Sequence, residues 1–274
     1  GGIQEPNRAL FTYSDFKTNT SLEELSRQFS ANGFGGLRAT QSFTWFPESA
    51  TSPIAGALYG GQTYSAEAFY NHRVSPRHWV GGTLRGQRFD TDGSEGRTDT
   101  ASLLFLYGFN IRPNTSLSVF AGPELSITSV PPGTPAAALP FPSHQWSPAA
   151  GAAFGWQGQR TGATASFIHQ VSNGAGLFSA VTLDTADAAL QRQLSRQLGA
   201  EVGFTYAQNE PIVTSQTIRT YSGRLQFTYY IGNNIALYGG YARDDNTSLV
   251  SGAAASADRV WISFSYSFSR PLGR

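Results

Sequence analysis

From residue 37 onward the chain is written in period two. Segments of about 10–15 residues alternate apolar with small or polar side chains, the pattern of strands that are apolar on one face only. The terminal stretch 260–270, VWISFSYSFSR, is the clearest case: Ile262, Phe264, Tyr266 and Phe268 alternate with Ser263, Ser265 and Ser267. IRTYSGRLQFTYYI (218–231) and SLLFLYGFNI (102–111) repeat the theme. So do 37–46, 63–73, 78–89, 116–127, 146–157, 162–171, 177–195, 198–208 and 234–243, which brings the expected count to twelve strands. Two architectures use such strands. A sandwich buries its apolar faces between two sheets. A barrel in a bilayer turns them to lipid and keeps a wet interior.

The connections separate the two. VSP, RPNT, GQR, RQ and GN are tight turns, whereas PESATSPIAGALYGGQ, DTDGSEGRTD, TSVPPGTPAAALPFPSHQ, NEPIVTSQ and DDNTSLVSGAAASAD are long. Short and long connections in alternation are the asymmetry of transmembrane barrels. Most runs also reach the roughly 9–11 residues that a tilted strand needs to cross a bilayer, against about 5–6 in ordinary sheets. Backbone groups in lipid must all be paired, so the expected sheet is closed. An even strand count brings both ends of the barrel to the short-turn side. Trp45, Tyr64, Trp79, Trp146, Trp156, Tyr206 and Tyr221 stand near segment ends, as interfacial girdles require. The segment 177–195 has a competing helical pattern through Leu190, Leu194 and Leu198. The strand reading preserves the short–long alternation.

Composition agrees. Charged residues make up 14% of the chain, against about 25% in typical soluble domains. No apolar run approaches the roughly 18 residues of a membrane helix. The net charge of +1 offers no footing for nucleic acid, and the absence of Cys excludes disulfides and thiolate sites. The sequence has no Met and no charged-then-apolar leader, which suits a mature chain whose signal peptide has been removed.

Residues 1–36 read differently. In SLEELSRQF, Leu22, Leu25 and Phe29 have helical spacing, and Ser21 with Glu24 forms a capping box. A short amphipathic helix is expected there, in a segment that plugs a lumen, lies on a membrane or docks a partner. The organisation expected is thus an N-terminal segment 1–36, a barrel 37–268 and a tail 269–274.

With its alternating aromatics closing on Phe268, the C-terminal stretch resembles the terminal strand of bacterial outer-membrane β-barrel proteins. That resemblance implies an all-β closed antiparallel barrel in the outer membrane. It also makes Phe264, Tyr266 and Phe268 the signal read by the barrel-assembly machinery. SRPLGR follows Phe268, a departure from the commonest pattern. Partners implied are the outer-membrane lipid bilayer, the assembly machinery and a periplasmic or surface protein.

No catalytic, metal or cofactor constellation emerges. The histidines are His72, His78, His144 and His169. Parity sends His169, the one with Asn173 nearby, to the apolar face. There is no phosphate loop and no G-x-S-x-G. Parity instead aims Arg38, Glu67, Arg85, Glu124, Glu201 and Arg224 at the interior, three charges of each sign. Such residues tune selectivity or form ion pairs that hold a barrel together. The functional expectation is a narrow passive channel for small solutes. The alternative is a non-conducting barrel that anchors a partner protein or filament.

Overall fold

The computed structural model describes residues 17–46, 51–52, 56–57, 60–92, 97–129, 144–174, 178–212, 217–232, 234–248 and 254–266. Among them there is no helix. The elements in chain order are β1 (Lys17–Ser30), β2 (Gly33–Trp45), β3 (Thr51–Ser52), β4 (Gly56–Ala57), β5 (Gly61–Arg73), β6 (His78–Thr91), β7 (Arg97–Arg112), β8 (Thr115–Ser129), β9 (His144–Gln157), β10 (Thr161–Gly174), β11 (Phe178–Gln193), β12 (Leu198–Pro211), β13 (Ile218–Ile231), β14 (Ile235–Ser248) and β15 (Ala254–Tyr266). β3 and β4 form a two-residue hairpin inside the connection from β2 to β5. The other thirteen strands form one sheet in sequence order, each antiparallel to the next.

All twelve strands expected from the alternation are present, including β11, where cross-strand partners on both sides outweigh the helical spacing. The thirteenth is a correction. Residues 17–30 form strand β1, with no helix. Leu25 faces Leu37, Glu24 faces Arg38, and Thr18 and Thr20 face Thr44 and Ser42 across the hairpin. Each of those pairs is a favourable cross-strand contact, and together they override the local helical pattern.

Closure is the second correction. β1 and β15 are the two edges of the sheet. Thirteen antiparallel strands leave the first and last running the same way, so a β1–β15 seam would be parallel. For the same reason the two ends lie on opposite sides. β1 begins beside Trp45 at the long-loop end, and β15 finishes beside Ile235 at the short-turn end. The last short turn, between β13 and β14, places Gly232 at φ 65°, a conformation that only glycine adopts without strain.

Register assigns the faces. On β7, β13 and β15 the convex face carries an uncharged run: Leu103, Phe105, Tyr107 and Phe109 on β7, Tyr221, Leu225, Phe227 and Tyr229 on β13, and Val260, Ile262, Phe264 and Tyr266 on β15. Val260, Ile262 and Phe264 are 79, 79 and 77% exposed. Six of the seven expected girdle aromatics stand on this face. Trp79 does not: its ring lies on the concave face over Gly108 of the paired strand, where any Cβ would collide with the indole. Trp261 covers Gly240 in the same manner.

Candidate functional site

The concave face is polar and densely packed. Thr98, Thr100, Ser102, Ser126, Asn209, Thr220 and Asp244 are all buried on it. Running through it is a row of directly opposed residues, one from each of seven neighbouring strands: Glu24, Arg38, Glu67, Arg85, Ser102, Glu124 and Ser147. Charge alternates along its first four positions. Arg38 donates to Glu24 at 2.8 Å and to Glu67 at 3.4 Å. Four of the six charges singled out by parity therefore stand in one line. The other two, Glu201 and Arg224, form a separate pair at 2.8 Å between β12 and β13.

The centre of the row is its most constrained part. Arg85 lies between β5 and β7, yet its guanidinium reaches beyond both. Nη2 donates to Glu124 on β8 at 3.2 Å, Nε to Ser102 on β7 at 3.3 Å, and Nη1 to Gln170 on β10 at 3.0 Å. Glu124 is fully buried, and its second oxygen accepts from the backbone N–H of Val171 at 2.8 Å. That N–H is available because the β9–β10 pairing stops at Ala150 and His169. The result is a crossbar that ties β6, β8 and β10 together across the concavity. An apolar cluster of Phe89, Val171 and Ala180, with Ile212 against it, lies next to the crossbar. Phe89 is four residues along β6 from Arg85 and on the same face. Ser102 and Gln170 had no signal in the sequence beyond lying on the polar face. Register and curvature bring them to Arg85.

Two of the histidines make cross-strand side-chain contacts on the convex face. His169 is on the convex face, where its Nδ1 contacts Asp184 of β11 at 2.5 Å. His78 Nδ1 contacts the Tyr107 hydroxyl at 2.7 Å. Among the described residues no group of His, Cys, Asp or Glu could hold a metal ion. Of the terminal-strand residues, Phe264 and Tyr266 are convex-facing, and Phe268 lies outside the described residues.

No family model and no curated protein matches the chain. Among solved structures it is similar to the FrpB iron transporter from Neisseria meningitidis (F3-3 variant), with a TM-score of 0.56 and 9% identity over 94% of this chain. The chain spans about half of that transporter, 49% of its length. A looser likeness is to the CymD monoaromatic hydrocarbon channel, with a TM-score of 0.40 and 12% identity over 93% of this chain and 87% of that one. Sheet strands of 13–16 residues, a largely apolar convex face and a polar concave face define the class. The fold is that of the outer-membrane β-barrel proteins.

Proposed function

We propose that the chain builds the wall of a narrow passive channel for small solutes in a bacterial outer membrane. One observation carries this reading: the sheet turns a mainly aromatic and aliphatic face outward and a charged, hydroxyl-rich face inward. A soluble sheet has no use for that polarity, because water would meet the wrong side. No catalytic step is involved. The six charges Arg38, Glu67, Arg85, Glu124, Glu201 and Arg224 line the path in this reading. Their balanced signs argue against strong preference for either ion. The Arg85–Glu124–Gln170 crossbar is the constriction.

A second reading is supported by the same crossbar together with the Phe89 cluster. A concavity filled by its own side chains also suits a non-conducting barrel that anchors a partner at the membrane. Planar-bilayer recording separates the two. Small discrete steps in the wild type, enlarged in Arg85→Ala, are expected of the channel. A protein that migrates as a heat-modifiable folded band, yet stays electrically silent in both forms, would leave only the anchor.

A further inference from the structure

The arginines among the described residues fall into two groups that do not mix. On the concave face and toward the long loops they are engaged. Arg38, Arg85, Arg88, Arg97, Arg224, Arg243 and Arg259 each pair with a carboxylate, and Arg219 donates to Gln208. At the short-turn rim the pattern reverses. Arg27, Arg73, Arg77, Arg112, Arg160, Arg192 and Arg196 stand in or beside five of the six short connections. All seven are exposed. None forms an ion pair among the described residues, and Arg73 only folds onto the carbonyls of Ser75 and Pro76. The sequence explains why: residues 26–36, 70–82, 107–119, 154–164, 189–200 and 227–240 contain no Asp or Glu at all. A net charge of +1 hides a rim that is purely cationic.

We propose that this collar binds the phosphate headgroups of anionic phospholipids in the leaflet at the short-turn side. The inference rests on the membrane-barrel reading and adds a ligand to it. Three features favour a lipid surface. First, the charges are spread along the rim over successive turns, which matches a plane of anions. Second, the collar borders the convex aromatics Tyr70, Tyr107, Trp156 and Tyr229, so the guanidiniums sit at headgroup depth while the rings sit at the interface. Third, the rim is indented. A cleft of about 650 Å³ is bordered by Asn32, His72, Arg73 and Arg77, and one of about 410 Å³ by Gln157, Arg160, Arg192 and Arg196. Guanidinium forks among amides suit phosphate oxygens. An anionic leaflet attracts each such arginine, and salt screens the attraction.

The test uses the folded protein in phosphatidylcholine vesicles with and without a third of phosphatidylglycerol. Trp156, beside the turn that carries Arg160, reports on contact through quenching by brominated acyl chains once the other four tryptophans are replaced by Phe, and this background serves as wild type. Wild type is expected to prefer brominated phosphatidylglycerol several-fold over brominated phosphatidylcholine at low salt, and to lose the preference at high salt. The triple variant Arg77→Gln, Arg160→Gln and Arg196→Gln should lose that several-fold preference at low salt. Arg88→Gln at the opposite end should change nothing. Equal quenching by both lipids in the wild type overturns the proposal, as does a preference that survives the triple variant. If the lipids quench equally but inorganic phosphate shifts Trp156 fluorescence, the collar is a mouth for free anions, and the lipid assignment fails. Folding in pure phosphatidylcholine is scored separately, so loss of the collar proposal is distinct from loss of the membrane-barrel reading.

Discussion

The concave charge row has two halves made of the same chemistry. At the β1 edge, Arg38 and Glu24 meet at 2.8 Å with their side chains 41% and 35% exposed. In the middle of the sheet, Arg85 and Glu124 meet at 3.2 Å with exposures of 10% and 0%. The longer contact is the more consequential one. At the edge, water competes for both partners and restores most of what a broken pair loses. In the middle, each charge depends on its neighbours for solvation, and the pair is completed by Ser102, Gln170 and the Val171 amide. Burial, more than distance, sets what an ion pair is worth here.

Glu124→Ala is the harshest challenge to that comparison. It leaves the Arg85 guanidinium buried without a counter-charge, and a loss of about 3–5 kcal/mol is expected. Urea unfolding followed by tryptophan fluorescence and the heat-modifiable band measures it. A loss no larger than at the edge pair would erase the distinction between the two halves.

Phe264→Arg on the convex face of β15 comes next. A charge on the lipid-facing band costs about 2–4 kcal/mol at the midplane and about 0–1 kcal/mol near the interfaces. Phe264 shares a row with Leu237 and Tyr229 toward the short-turn end, so about 1–2 kcal/mol is expected. Ser265→Arg, one residue on, points to the concave side and should cost far less. Equal losses in the same unfolding assay would contradict the assignment of faces.

Glu24→Gln is the smallest effect. With its partner still open to water, the variant should lie within about 1 kcal/mol of wild type. Raising salt should narrow even that gap, while the Glu124→Ala loss stays nearly unchanged, because buried pairs are poorly screened.

Much of this architecture was legible in the residue order. Alternation places Phe264 and Ser265 on opposite faces whatever the tertiary context, and the short–long rhythm of connections locates twelve strands. β1 escaped because its apolar residues, Leu22, Leu25 and Phe29, are spaced as on a helix. Its strand character lies in partners on β2, such as Leu37 and Arg38. The site was legible one residue at a time. Parity sends Arg38, Glu67, Arg85 and Glu124 to one face, but only register lines them up, and only curvature brings Gln170 within 3.0 Å of Arg85. The rim arginines were invisible to a sum over charge. They emerge once each residue is assigned an end of its strand.

The odd number of strands among the described residues gives the sheet a further property. Ordinarily, the two ends of an up-and-down barrel can be tied together by a short loop and the chain reopened elsewhere. Here Tyr266 finishes on one side of the sheet and Lys17 starts on the other. A linker between them has the whole membrane to cross, at least about 9–11 extended residues, with its own backbone hydrogen bonds to satisfy on the way. A circular permutant of this sheet therefore calls for a further strand between Tyr266 and Lys17 in place of a loop. The ideal linker sequence would alternate apolar and polar residues, as its neighbours do.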